Sequence, residues 1–192
     1  MEKFSAELLK QVAGKAYEEA LGMSYAGRRA LVSMKHVGLN VAADPFMSSA
    51  ITGVNAGLVV IVADDPGMHS SQNEQDTRYY HEFAQLPLFE PATQQQTYDQ
   101  VLDAFEYSER VGLPVMVRMV TRLCHSRANV TLREQFDPEA AAPGGSSGAG
   151  VLVRPSSLPV YPRPDANDWV LVPTNARRRY RRLLDLQPRL RR

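Results

Sequence analysis

The run Gly57-Leu58-Val59-Val60-Ile61-Val62-Ala63 constrains this chain more than any other stretch. A strand with one wet face alternates apolar and polar residues. This run does not alternate, and its β-branched residues stand in succession, which is the pattern of a strand covered on both faces inside a parallel sheet. Two further runs read as strands, a short β-rich one at Ala30–Met34 and another buried one at Leu113–Val117. Between them lie helical patterns. Apolar residues Leu8, Leu9, Val12, Ala16, Ala20 and Leu21 recur at helical spacing from about residue 5 to 26. The segment VAADPFMSSAITGV reads as a helix capped near Asn40, with Pro45 in its first turns. DTRYYHEFAQL is helical, PLFEP is strand-like, and residues 93–112 place Tyr98, Val101, Leu102, Phe105 and Val111 on one stripe that Gly112 ends.

Strand, helix and strand in repeated succession with short connections predict an α/β fold, a three-layer parallel sheet with helices on both faces. Ligands of such sheets bind outside the carboxyl ends of the strands. Three connections therefore carry the functional interest: MKHVGLN (34–40), DDPGMHSSQNEQD (64–76 within the stretch that follows the second strand) and TRLCHSR (121–127). In the first, Gly38 gives backbone freedom and Asn40 is the expected helix cap, while Lys35 and His36 stand at the edge of the sheet. The second starts with the turn residues Asp64, Asp65, Pro66 and Gly67. His69, Ser70, Ser71, Gln72, Asn73, Glu74, Gln75 and Asp76 follow, expected to cap and begin the next helix. A solvated loop explains such a stretch. Its length and amide content favour a binding rim, because compact folds keep connections short unless they carry a site. A metal site from Asp64, Asp65 and His69 ranks below that reading. Cys124 and His125 adjoin in sequence, which rarely gives nucleophile-and-base geometry, so a structural role is preferred.

With 192 residues, 44% of them apolar, the chain suffices for a domain with a sizeable core. A net charge of +1 exerts no general pull on nucleic acid or anionic lipid. The single cysteine permits neither an internal disulfide nor a cysteine-held cluster within the chain, and a reducing, cytoplasmic setting fits. No apolar run has the length of a membrane span. The sequence divides into residues 1–136, a Pro/Gly/Ala-rich linker at 137–167 that is expected to be mobile near 138–165, and 168–192, a short strand leading to a basic helix near Thr174. ARRRYRR with Tyr180 could touch RNA. The lack of other basic patches favours a solvated face or a subunit contact.

The segment ALVSMKHVGLNVAADPFMSSAITGVNAGLVVIVADDPGMHSSQNEQDTRYYHEFAQLPLFEP resembles the pyrimidine-binding domain of the alpha subunit of indolepyruvate:ferredoxin oxidoreductases, members of the thiamine-diphosphate-dependent 2-oxoacid:ferredoxin oxidoreductases. The resemblance runs from about Tyr17 to Arg127 and resumes at WVLVPTNARRRYRRLL. It implies that the fold is of the thiamine-diphosphate pyrimidine-domain type, N-terminally incomplete. It also implies that Lys35, His36, Gly38 and Asn40 lie on the cofactor side, and that Asp65, His69, Ser70 and Gln75 line the substrate cleft. The implied cofactor is thiamine diphosphate with Mg2+, shared with a domain that this chain lacks. An iron–sulfur cluster is expected only elsewhere in the complex. The implied partners are a diphosphate-binding domain or subunit, the beta subunit and, indirectly, ferredoxin. The implied reaction is oxidative decarboxylation of an aryl 2-oxoacid to an acyl-coenzyme A.

The pattern is not complete. Aligned without gaps, Val12 and Ala13 stand where the family places an Asn-Glu pair, so the activating glutamate is expected to be absent. Glu18 and Glu19 fall at other helical positions. No catalytic residue is assigned, and the chain is expected to be inactive alone. The alternative is a non-catalytic interaction or dimerisation module derived from the same domain.

Overall fold

Four parallel strands in the order β1-β2-β4-β3 build the sheet: β1 (Ala30–Lys35), β2 (Leu58–Asp64), β3 (Leu88–Phe89) and β4 (Val115–Val120). The computed structural model describes residues 2–133 and 169–190. The expected α/β class, the parallel sheet and the order of its elements are therefore found. Ala30 pairs with Leu58 and Lys35 with Ala63 across β1 and β2; Val59 pairs with Val115 and Asp64 with Val120 across β2 and β4. β2 is central, and Leu58, Val59, Val60 and Val62 are all fully buried, as the unbroken apolar run predicts.

Helices cover the two faces unequally. Tyr17 and Ala20 of α1 (Glu2–Tyr25), Leu39 of α2 (His36–Val41), Phe46 and Ala50 of α3 (Ala43–Thr52) and Ala84 of α4 (Arg78–Ala84) pack with Val32, Val60, Val62 and Met116 in the larger core. Leu183 of α7 (Pro173–Leu190) joins them. On the other face α5 (Gln94–Val111) lies over Val59, Val115 and Val117 through Val101, Ala104 and Phe105. The short α6 (Thr121–His125) follows β4 directly.

Several boundaries differ from those the sequence suggests. The helix expected from an Asn40 cap starts at His36, and Asn40 is an interior position of α2; a break at Ala42 separates α2 from α3, where Pro45 occupies the first turn. Gly38 is helical and serves closeness rather than freedom, since a Cβ there would stand 2.9 Å from Met34 Cβ. The fourth run starts as a strand at Val115 and not Leu113, because the Leu113 amide is spent on the Ser108 carbonyl and Pro114 has no N–H to give. Residues 69–76 do not begin a helix; α4 starts at Arg78, with the Asp76 carboxylate accepting from its amide at 3.1 Å.

The strand expected before the basic helix is not formed. Among the described residues Val170–Val172 belong to no strand, the Val170 carbonyl accepts from Asn175 Nδ2 at 3.2 Å, and the helix begins at Pro173. That helix is anchored to the core: Arg179 Nη1 donates to the Thr52 carbonyl at 3.3 Å, Gln187 Nε2 to the Gln85 carbonyl at 3.0 Å, and Trp169 stacks against Tyr25 with ring centroids 4.1 Å apart. The expected linker, with its mobility near 138–165, lies outside the described residues.

Candidate functional site

Two adjacent carboxylates end β2, and each is built into a different network. Asp64, 1% exposed, accepts from Thr77 N at 3.0 Å, Thr77 Oγ1 at 2.8 Å and Arg118 Nε at 2.6 Å. Arg118 projects from β4, where its register partner is Val62, and its other arm reaches Glu90 just beyond β3. One guanidinium thus joins the carboxyl ends of three strands. Asp65, also 1% exposed, accepts from Ser70 N at 2.7 Å, His69 N at 3.2 Å and Thr121 Oγ1 at 2.7 Å. The Thr121 hydroxyl, followed by the Ser70 amide, holds the Asp65 carboxyl well below the usual carboxylate range. Asp76 is pushed down to about 2, chiefly by its hydrogen bonds from Arg78.

The stretch between Asp65 and Thr77 crosses toward β1. Lys35 Nζ donates to the Ser70 carbonyl at 3.0 Å and approaches Ser70 Oγ at 3.1 Å, with Asp65 at 3.7 Å. His36, fully buried at the start of α2, places Nε2 3.0 Å from the Asn73 carbonyl. A carbonyl only accepts, so Nε2 is the donor in this contact. Nδ1 is buried and has no hydrogen-bond partner.

The structure therefore joins Lys35, Asp65 and Ser70, and links His36 to the same segment. Gln75 enters through its bond to Asn73 at 3.2 Å. His69 is an exposed side chain next to Gly67 and meets neither carboxylate through its ring in any described bond. Asn40 faces α4, accepting from Tyr80 OH at 2.8 Å, and Gly38 packs on Met34. Among the described residues no group of three His, Cys, Asp or Glu side chains is arranged to hold a metal ion.

Cys124 is exposed, yet partial desolvation raises its thiol, which works against a thiolate nucleophile beside His125. Arg118, Thr77 and Thr121 were not among the expected site residues. The signal for Arg118 was present: an arginine inside the apolar run VMVRMV must find an acceptor when it is buried.

A sheet of parallel strands with polar, carboxylate-bearing loops at their carboxyl ends is the architecture of a ligand-binding α/β domain. Its backbone resembles part of a 2-oxoglutarate:ferredoxin oxidoreductase from Magnetococcus marinus, at a TM-score of 0.53 and 13% identity, over 90% of this chain and 34% of that one; at that identity the likeness shows the fold alone. No family model matches the sequence.

Sequence relatives are more specific. The chain is 46% identical over 159 residues to the indolepyruvate oxidoreductase subunit IorA of Pyrococcus abyssi, covering 81% of this chain and 24% of that subunit. It is 44% identical over 176 residues to the IorA subunit of Methanothermobacter thermautotrophicus (92% and 26%), and 51% identical over 117 residues to that of Archaeoglobus fulgidus (61% and 19%). The chain is thus similar, over most of its own length, to one segment of the IorA subunits, and spans about a quarter of the length of the first of these. The resemblance carried by MKHVGLNVAADP and DDPGMHSSQNEQD stands.

Proposed function

We propose that this chain supplies the pyrimidine-binding wall of a thiamine-diphosphate site in an indolepyruvate (aryl 2-oxoacid):ferredoxin oxidoreductase, and works together with polypeptide that provides the diphosphate side. The observation that carries this reading is the unpartnered Nδ1 of His36, a buried polar atom at the carboxyl edge of a parallel sheet. An orphaned buried polar group costs about 1–3 kcal/mol, and a hydrogen-bonding group on a bound ligand relieves that cost. The residues fit one side of such a site. His36 and Lys35 would face the cofactor, supported by Gly38 and Asn40 on α2; Asp65, Ser70, His69 and Gln75 would line the substrate cleft.

The same residues do not fit the diphosphate with Mg2+. Asp64 and Asp65 are spent on internal hydrogen bonds, and the described residues hold no three-ligand metal group. Among the described side chains of α1, the carboxylates Glu18 and Glu19 are exposed, and neither stands at the position of Ala13. Those parts belong, on this reading, to a diphosphate-binding domain or subunit and to the beta subunit. Electron transfer to ferredoxin needs a cluster that a chain with one cysteine cannot ligate by cysteines alone.

Thiamine diphosphate, when bound, supplies the electron sink for decarboxylating a 2-oxoacid. This chain's own contribution is to hold and orient. Lys35 keeps Ser70 over the sheet edge, Thr121 keeps Asp65 ionised, and Arg118 fixes the ends of β2, β3 and β4 against one another. No helix of the described residues is long and apolar enough to cross a membrane, and we place the assembly in the cytoplasm.

The test is calorimetry and dye reduction. The purified chain alone is expected to show neither thiamine-diphosphate affinity nor indolepyruvate-dependent reduction, and added diphosphate-side polypeptide is expected to restore cofactor binding before turnover. Turnover by the chain alone, or no binding with the partner present, overturns the reading. A second reading, a docking module without chemistry, draws on Tyr79 and Phe83 of α4, which are 71% and 80% exposed one helical turn apart. It predicts a stable complex with that partner in which thiamine diphosphate never binds.

A further inference from the structure

The segment from Asp65 to Thr77 is fastened at both ends. Its first half wraps the Asp65 carboxylate through the His69 and Ser70 amides, helped by the left-handed backbone of Gly67 (φ 80°) and Met68 (φ 54°). Its far end is Thr77, fully buried and tied through both amide and hydroxyl to Asp64, which Arg118 holds in turn. Between these pins, Ser71–Asp76 contribute no side chain to either apolar cluster, and Gln72, Asn73 and Glu74 are exposed. The contacts this segment makes are polar, Glu74 Oε2 accepting from the Gly67 amide at 3.0 Å and the Asp76 carboxylate lying 3.8 Å from Arg118 beside the Thr77 pin, and a segment without apolar anchorage opens at lower cost than the core. Among the described residues, its clasp to the β1 side is the bond of His36 Nε2 to the Asn73 carbonyl. Lys35 steadies the near hinge through Ser70.

We propose that Ser71–Asp76 form a flap hinged at Ser70 and Thr77 and latched by His36, and that its release presents the His36 imidazole at the carboxyl edge of the sheet. The closed flap leaves His36 fully buried with one nitrogen satisfied and the other bare. Release frees Nε2 of that ring, which donates to the Asn73 carbonyl while the flap is closed. An imidazole freed in this way takes a polar ligand that accepts from Nε2. The flap goes beyond the cofactor reading: it would gate access to this edge whatever the ligand, and its test needs none.

The test follows modification of His36 by diethylpyrocarbonate in the full chain, located by peptide mass spectrometry, alongside amide exchange of β2. In the unaltered chain His36 is expected to react at a rate that low urea does not change, while β2 amides exchange orders of magnitude more slowly. Lys35→Ala removes the hinge contacts on Ser70 and is expected to speed His36 modification about tenfold, the effect of roughly 1.4 kcal/mol, with β2 exchange unmoved. Two results overturn the flap: His36 reactivity that climbs with urea in step with β2 exchange, or reactivity unchanged by Lys35→Ala. Should that variant unfold, as β2 exchange would report, the urea dependence of the unaltered chain decides alone.

Discussion

The two ends of the sheet are both rich in buried polar contacts, yet they use them differently. At the amino end, side chains join element to element. Ser108 Oγ donates to the Leu113 carbonyl at 2.7 Å and accepts from Leu58 N at 3.0 Å; Ser24 Oγ donates to the Ala56 carbonyl; Glu109 takes both the Arg29 guanidinium at 2.7 Å and the Gly57 amide at 3.3 Å. Gly53 lies so close to the end of α5 that a Cβ would sit 2.6 Å from the Gly112 carbonyl oxygen. At the carboxyl end the carboxylates of Asp64 and Asp65 hold a loop as well as neighbouring elements: Asp64 takes Arg118 of β4 and Asp65 takes Thr121 of α6, while Thr77, His69 and Ser70 bring the loop to them. The difference teaches where rigidity is needed. The amino end joins element to element alone; the carboxyl end joins strands through Arg118 and also fastens both ends of a segment whose middle is exposed and clasped by His36.

The comparison breaks most readily at Arg118. Arg118→Ala leaves Asp64 buried with its counter-charge gone, and urea unfolding is expected to show a loss of about 3–5 kcal/mol. Pairing Arg118→Met with Asp64→Asn should return much of it, because the buried charge goes with its partner. A loss below 1 kcal/mol for Arg118→Ala would mean that the carboxyl end is not rooted as described. Next comes Gly53→Ala at the other end. Gly53 holds φ 73° and ψ −165°, a region almost restricted to glycine, and its neighbour is unyielding backbone. A cost of about 3 kcal/mol, without effect on His36 reactivity, would confirm that the two ends are separable. Ser108→Ala orphans the buried Leu58 amide and is expected to cost about 1–3 kcal/mol in the same measurement.

The smallest effect concerns acid. Asp65 and Asp76 both titrate below their ordinary values in the folded chain. A carboxylate with a depressed folded pKa contributes stability above its unfolded value, near 3.9, and loses it as pH falls toward the folded value. Stability should therefore be level above about pH 5 and decline between about pH 4 and pH 2. Asp65→Asn should flatten that decline. An identical slope in the variant would show that Asp65 is not among the groups responsible.

Much of this frame was readable in the residues. The unbroken β-branched run gave a doubly covered β2, the stripe ending at Gly112 gave α5, and the amide-rich stretch after Asp65 marked the sheet edge that the structure also marks. What escaped depends on contacts distant in sequence. Gly38 is the exception, since the residue that crowds it, Met34, stands only four positions earlier; it reads as a turn residue because the pattern does not reveal that α2 starts at His36, directly after β1. Asn40 reads as a cap until Tyr80, forty residues on, proves to be its partner. Thr77 and Thr121 look like ordinary loop residues, and only the fold brings both to the end of β2. The unequal faces of the sheet escaped for a related reason: helical stripes say that a helix packs, not on which side.

The strand order has a consequence for synthesis. β4 inserts between β2 and β3, so β2 emerges from the ribosome with one long edge that stays unpaired until residues 115–120 arrive. Roughly fifty residues separate the two, and at about 5–20 residues per second the apolar edge of β2 waits about 3–10 s for its partner. β3 emerges within that window, and among the described residues its two residues pair with β4 alone. The nascent chain is therefore most exposed to misassociation in the interval when its best-formed strand is already complete.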